Sequence, residues 1–470
     1  MFSGSGGGQI GHAGNNLFLL YYQKGVCQLY SKIRNALSRT GLAALIAGSL
    51  AVGAPAALAA DTAPSAGKSY DIVVLGDSLA AGYEHGFTEK SVPYGFAEHV
   101  YEQALFQGLR AEYANYGIIG LRSDGLSKWL SAAAEGKEVT KKDIQAALSD
   151  PRAEAFFANT EQLEEDVRSA ELILISIGGN DFLQLLNGLE GDETLADFGK
   201  LPPAEQSSLR TMLTTLLDTY EAQLESAIET VRELQPDAQI VVANQYLPVP
   251  FMKVRNETTY LIPESTAEFL VDGQAKLLER LETVVSELEN KDVSIKIADA
   301  ASAIEKSILA YTSIEEGDVH PTKAGYAELG KAYAEAIWGE YKTVKKRPAN
   351  VPISVVVDGK ELESSYVPVI KKGRTFVAIA DITDAIGAER KWDAKTNTAT
   401  ILLDGRTVEM TIGAKTIKIN GKTMPLNAEP AYFQQYPGEK KTYVPLAALS
   451  EGLGLQVEYR DTLKAAFINS

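Results

Sequence analysis

A hydroxyl at a strand end and a few imidazoles elsewhere are the residues of this chain that could carry out nucleophilic hydrolysis at a carbonyl. Ser78 lies in Gly76-Asp77-Ser78-Leu79, directly after the aliphatic run Ile72-Val73-Val74-Leu75. Such a run reads as a strand buried on both faces, and the Gly-Asp-Ser that follows reads as a strand-to-helix turn. A serine there exposes its Oγ at the carboxyl end of a sheet, beside backbone N–H groups that can hold an oxyanion. The alternative is an ordinary helix N-cap, since Asp and Ser both cap well.

Nucleophilic attack by a hydroxyl needs a base within hydrogen-bond reach and donors aimed at the developing charge. The chain has four histidines: His12, His85, His99 and His320. His12 precedes an expected cleavage point, and His99 falls in a helical stretch that suggests a surface or half-buried role. His85 is near Ser78 and could line a site. His320 sits in Glu315-Glu316-Gly317-Asp318-Val319-His320-Pro321, a loop running into a late helix, and read alone it is a solvated turn residue. No His-x-x-x-His pair and no cysteine cluster suggests a metal ligand set, so no cofactor is expected. The Gly-rich start of the chain is not a phosphate loop, because no strand precedes it and no Gly-Lys-Ser/Thr follows.

The elements that must carry these residues alternate between positions 70 and about 343. Strands read at 71–75, 111–115, 171–177, 238–244 and 293–298, with helical periodicity at 96–107, 204–234 and 266–290 between them. Strands separated by helices imply a parallel sheet covered on both faces, a three-layer α/β/α fold of flavodoxin-like type. The stretch 125–170 is long and charged for a crossover and is expected to be a helical insertion near the sheet's carboxyl edge.

Beyond a Lys- and Pro-rich linker at 344–352 the texture changes to short β-branched strands with Gly turns. An internal repeat lies there: Arg374-Thr375-Phe376-Val377, Ile382, Ile386-Gly387 and Trp392 recur 67 residues later as Lys441-Thr442-Tyr443-Val444, Leu449, Leu453-Gly454 and Tyr459. Each copy reads as strand, short helix, strand, and two copies would bury one another's apolar faces. The organisation expected is an extension with a signal peptide (1–60), a linker (61–68), an α/β domain (69–343), a second linker and a smaller β-rich α+β domain of two repeats (353–470).

The formal charge is −17, which disfavours nucleic acid and anionic membrane surfaces as partners. Residues 1–60 hold no acidic residue, carry Lys24, Lys32, Arg34 and Arg39, and pass through an apolar run to Ala57-Leu58-Ala59-Ala60. This is the pattern of a secretory signal cut after Ala59 or Ala60; the alternative is a retained membrane anchor. Cys27, the only cysteine, lies in the same segment, so no disulfide framework is possible and thiol catalysis is excluded.

Gly76-Asp77-Ser78-Leu79, Gly120 in Asn115-Tyr116-Gly117-Ile118-Ile119-Gly120, Gly178-Gly179-Asn180-Asp181 and His320-Pro321 together resemble, in order, the four sequence blocks of the SGNH (GDSL) hydrolases. The resemblance implies an acyl-serine mechanism with Ser78 as nucleophile and His320 as base. It also implies an oxyanion hole from the N–H groups of Ser78 and Gly120 and the side chain of Asn180. Members usually carry the triad Asp three residues before the His, where this chain has Gly317. Asp318 or Glu316 is therefore expected to orient the imidazole, or else the site runs as a Ser–His dyad. Asp77 and Asp181 are expected to brace turns. The last 120 residues resemble the stalk-like module named after the amino-terminal domain of copper amine oxidases, but no histidine follows His320 from which a His-based copper site could be built. The exposed aromatics Tyr432, Phe433 and Tyr436 are candidates for a glycan surface or, more simply, for core.

The function expected is a secreted or cell-surface bacterial hydrolase acting on small-molecule, lipid or glycan esters: lipase-like, lysophospholipase-like or an acetylesterase. Its carboxyl-terminal module would serve for attachment to the cell wall. The rival is a surface binding or spacer protein whose hydrolase unit has lost activity.

Overall fold

The computed structural model describes residues 68–88, 90–189, 191, 195–254 and 257–470. The expected signal segment, with His12 and Cys27, lies outside the described residues.

Among the described residues, seven strands and eleven α-helices precede the β-rich part. The strands are β1 (Tyr70–Gly76), β2 (Ala111–Gly117), β3 (Leu172–Ser176), β4 (Gln239–Ala243), β5 (Phe251–Val254), β6 (Glu257–Tyr260) and β7 (Ile295–Ala298). The helices are α1 (Phe96–Phe106), α2 (Ser123–Ala134), α3 (Lys141–Gln145), α4 (Ala153–Ala158), α5 (Thr160–Ser169), α6 (Leu183–Asn187), α7 (Pro203–Leu234), α8 (Glu264–Glu289), α9 (Ala300–Glu305), α10 (Ile308–Tyr311) and α11 (Lys323–Trp338).

Five strands form one sheet in the order β2-β1-β3-β4-β7, and the pairings β1–β3, β3–β4 and β4–β7 are parallel. β1 is an interior strand, flanked by β2 and β3. The aliphatic runs of β1 and β3 pair Ile72 with Leu172 and Val74 with Leu174, and all of these are buried. One face of the sheet packs on α2, α5, α7 and α8 through residues such as Trp129, Leu163, Leu217, Ile228 and Leu281. The other face carries α11, whose Tyr333 hydroxyl donates to the Ile175 carbonyl at 2.8 Å and whose ring stacks on Phe96 at 4.5 Å. The result is the expected α/β/α sandwich.

Sequence explains the longest helix well. Pro203 stands at its first turn, where its missing N–H costs nothing, and Leu209, Leu213, Leu217, Tyr220, Leu224, Ile228 and Val231 recur at three- and four-residue steps along the buried stripe. It stops at Gln235, the residue before Pro236, where helical backbone is disfavoured.

Two expectations need correction. No α-helix begins at Asp77: residues 77–82 make a single compact turn, closed by Ala81 N–H to the Asp77 carbonyl and Tyr83 N–H to the Ser78 carbonyl, both 3.0 Å. The turn ends at Gly82, φ +68°, and no helix or strand follows among the described residues before α1. His99 is not at the surface; it is 8% exposed, packed edge-on to Tyr94, and faces Gly330, where a Cβ would lie 2.3 Å from its own.

The described residues divide into two compact units, one of residues 72–99 and 113–339, the other of residues 68–71, 100–112 and 340–470. The second unit is largely antiparallel β-structure. Each sequence repeat forms strand, helix, strand: Arg374–Ala378, Ile379–Ala385 and Glu389–Asp393, then Glu439–Pro445, Leu446–Gly452 and Gln456–Arg460. The first strands of the two copies pair antiparallel with Val377 opposite Val444, Phe376 opposite Pro445 and Ala378 opposite Tyr443. Val377 and Val444 are equivalent positions of the repeat, so the pairing has the register of a local two-fold. Ile382 and Leu449, also equivalent, are fully buried in the shared core. Tyr432 and Tyr436 are half-buried against Phe376 and Tyr443, with Tyr436 and Tyr443 sharing a 2.6 Å hydroxyl hydrogen bond, so they pack rather than stand free.

Candidate active site

Gly76 ends β1 where no other residue fits: its φ is +142°, and a Cβ there would lie 1.9 Å from the Ser176 carbonyl oxygen of the neighbouring strand. The close approach lets Asp77 N–H bond that same carbonyl at 3.0 Å and turns Ser78 out over the sheet's carboxyl end. Asp77 is buried beneath the turn and accepts the Leu79 N–H at 2.9 Å. Burial, opposed by the Leu79 N–H and reinforced by the negative charge of Asp181, pushes its carboxyl up to about 7. Asp181 accepts from the Ser123 backbone N–H at 3.0 Å and from its hydroxyl at 2.5 Å, bracing the entry to α2.

His320 reaches the site from a tight hairpin between α10 and α11. Thr312 bridges Pro321, Ser313 N–H donates to the His320 carbonyl, and Asp318 N–H donates to the Ser313 carbonyl. Gly317 closes a 3₁₀ turn over Ile314–Glu316 with φ +80°, a left-handed conformation that brings Asp318 round beside His320. Tyr246 fixes the arm from outside, its hydroxyl donating to the Val319 carbonyl at 2.6 Å, and the Tyr83 ring lies edge-on to the imidazole at 4.6 Å.

The three side chains meet. Ser78 Oγ is 2.8 Å from His320 Nε2, and His320 Nδ1 is 2.5 Å from Asp318 Oδ1, which also accepts the His320 backbone N–H at 2.9 Å. Burial works against the Asp318 charge, but the hydrogen bonds and charge of His320, with a further bond from His85, outweigh it and hold this carboxyl well below the usual carboxylate range. An ionised carboxylate only accepts, so His320 must carry its proton on Nδ1, which leaves Nε2 free to receive the Ser78 proton. Glu316 is exposed, and the carboxylate that meets the imidazole is the one two positions before the histidine, not the one four before.

Gly120 and Asn180 sit at the carboxyl ends of β2 and β3, on either side of Ser78. Asn180 Nδ2 donates to the Leu121 carbonyl at 3.0 Å, with a second N–H on the same nitrogen. The N–H groups of Ser78 and Gly120 find no acceptor among the described residues. Gly120 has φ +84°, and a Cβ there would touch only Leu148 at 3.7 Å, so the conformation, more than the space, calls for glycine. The insertion is helical as expected and lies against this loop: Gln145 at the end of α3 donates to the Gly120 carbonyl at 2.9 Å.

One contact was not legible in the sequence: His85 Nδ1 lies 3.0 Å from Asp318 Oδ2. The nearness of His85 to Ser78 along the chain was the only signal. Among the described residues no group of three or more His, Cys, Asp or Glu could hold a metal ion, and no helix is long and apolar enough to cross a membrane.

Residues 72–333, more than half of the chain, match the family model described as GDSL-like Lipase/Acylhydrolase. The chain belongs to this family. Residues 356–468 match the model described as Copper amine oxidase N-terminal domain. No curated protein matches. Similar solved structures include the lipase Lip_vut3 from a goat rumen metagenome, 18% identical over 58% of this chain and 100% of that one, TM-score 0.38. An acetylxylan esterase from Geobacillus stearothermophilus is 15% identical over 59% of this chain and 97% of its own, TM-score 0.33. Phospholipase A1 from Streptomyces albidoflavus is 15% identical over 55% of this chain and 94% of its own, TM-score 0.34. As a GDSL-like lipase/acylhydrolase, the chain is an ester hydrolase in broad class.

Proposed function

We propose that this GDSL-family chain is an exported serine esterase that cleaves carboxylic esters through an acyl-Ser78 intermediate. The observation that carries the reading is the continuous hydrogen-bonded line from Ser78 Oγ through His320 to Asp318, 2.8 Å and 2.5 Å. As Ser78 Oγ bonds the ester carbonyl carbon, its proton passes to His320 Nε2 and the carbonyl electron pair becomes an oxyanion. The N–H groups of Ser78 and Gly120 and the second amide N–H of Asn180 receive that charge. Collapse breaks the bond to the leaving alkoxide, which takes the proton from Nε2. Water then repeats the sequence on the acyl-serine and frees the acid. Asp318 holds the imidazole in the productive tautomer and stabilises its charged form.

The helical insertion that lies against Gly120 is the proposed wall of the acyl site, and esters of lipid or glycan type are the proposed substrates. Export rests on the basic, then apolar, then small-residue pattern of residues 1–60, and cell-wall attachment is the proposed role of residues 353–470. The rival reading of an inactive surface protein drew on Gly317 alone, and it loses that support once Asp318 lies beside His320.

The test is turnover of p-nitrophenyl acetate and butyrate by the purified chain, followed by a series of longer acyl chains. Activity on at least the shorter esters is expected, with Ser78→Ala at background. No release of p-nitrophenol from any chain length, or equal release by the Ser78→Ala variant, defeats the proposal.

A further inference from the structure

We infer that His85 is a positioning residue for the triad, acting through the carboxylate of Asp318; this rests on the serine-esterase reading of the same site. The Asp318 side chain is 8% exposed, and its two oxygens are divided between two imidazoles. Oδ1 accepts both the Nδ1–H and the backbone N–H of His320. Among the described residues, Oδ2 accepts only from His85, at 3.0 Å.

The division matters because of where Asp318 stands. Two residues from His320 and bonded to that residue's own backbone, the carboxylate is held on one side by a short local ring. Both bonds in that ring act on Oδ1, and neither of them reaches Oδ2. The donor from His85 arrives at the opposite oxygen and fixes the plane in which Oδ1 meets the imidazole. A buried carboxylate oxygen without a donor is costly, so without His85 the group would turn toward water or toward the hairpin's own N–H groups. Either movement lengthens the bond to His320 Nδ1.

Since the ionised Asp318 can only accept, His85 must present its proton on Nδ1, leaving Nε2 toward solvent; its side chain is 39% exposed. The ring of Tyr83 lies edge-on to His320, and beside it in the chain Glu84 has one carboxylate oxygen buried with no partner among the described residues. None of these donates to Asp318 Oδ2, so no neighbour replaces His85. His85 also belongs to the irregular stretch between Ser78 and α1, and its bond to the arm carrying His320 ties that stretch to the site.

The experiment compares His85→Ala, His85→Asn and Ser78→Ala with the unaltered chain. An asparagine amide nitrogen occupies nearly the place of His Nδ1 and can donate to the same oxygen. His85→Ala is expected to lower kcat by about 10- to 100-fold with KM changed less than about twofold, and His85→Asn to recover most of the loss. The low-field proton resonance of His320 Nδ1–H is expected to shift upfield or broaden in His85→Ala and to return in His85→Asn. Unchanged kcat and an unmoved resonance in His85→Ala overturn the inference, as does an asparagine variant as impaired as the alanine one. The resonance is read whether or not an ester is turned over. If the unaltered chain proves inactive, the esterase reading falls while the resonance still decides whether His85 positions His320.

Discussion

Two carboxyl groups a few residues from the nucleophile and the base are driven in opposite directions by their surroundings. Asp318 has donors enough to overcome its burial and stays ionised. Asparagine at this position presents one acceptor and one donor, so either His320 loses its partner or His85 meets another donor. Asp318→Asn is therefore expected to reduce kcat by roughly 10³- to 10⁴-fold, while Glu316→Gln, on an exposed side chain, stays within about twofold. Steady-state rates on one ester check both. Asp77, which accepts the Leu79 N–H, is raised to about 7 by burial. The folded form thus holds its proton more tightly than the unfolded chain, and its contribution to stability is lost as pH rises from about 4 to about 7. Asp77→Asn keeps an acceptor for Leu79 without a charge to bury. Its stability relative to the unaltered chain is expected to increase over that interval by a few kcal/mol, read from urea midpoints at pH 4.5 and pH 8. Ser78 stood out at this scale by its place after an aliphatic run, and His320, Gly120 and Asn180 through the ordered short blocks that resemble the family. His85 did not, because its partner is 233 positions away and the path of the irregular stretch between them is not written in any periodicity.

Elements were readable where burial imposes a pattern. The strands of the sheet and the long helices α7 and α8 lie close to where apolar runs and three-to-four spacing put them. The failure was at the turn after β1, where Asp and Ser look like a helix start. The helix does not follow because Gly82 takes a positive φ and packs against Gly95, whose Cβ would lie 2.7 Å from the Gly82 Cα. A close contact between glycines leaves no mark in sequence beyond the glycines themselves. The hairpin holding Asp318 and His320 is the complementary case: Gly317 looked like a missing acid and is instead the left-handed residue that lets the next position supply it. Gly317→Ala is expected to cost about 1 kcal/mol, lowering the melting temperature of the α/β unit by roughly 2–4 °C, and to reduce kcat with little change in KM. Calorimetry and steady-state kinetics on the same preparation measure the two effects; a variant with unchanged melting and kcat would show that the left-handed turn is not what sets the acid.

At the scale of the whole molecule the sequence separated an α/β part from a β-rich part, and the repeat pairing of Val377 with Val444 follows from the 67-residue offset. It did not indicate that residues 100–112 cluster with the carboxyl-terminal part, because that grouping depends on contacts between distant segments and not on local composition. What composition does control at this scale is the field. With a formal charge of −17, and with Glu315 and Glu316 exposed on the arm that carries His320, a negatively charged ester approaches against repulsion. The screening length is about 30 Å at 0.01 M salt and about 3 Å at 1 M, so the repulsion is removable without altering the protein. For two esters of equal acyl length, one neutral and one bearing a carboxylate, kcat/KM of the anionic one is expected to be several-fold lower at low salt. It should recover as salt is raised to about 0.5 M, while the neutral ester changes little. Parallel salt dependence for the two would mean that the net charge is spread away from the site and that the sheet's carboxyl end carries no repulsive field of its own.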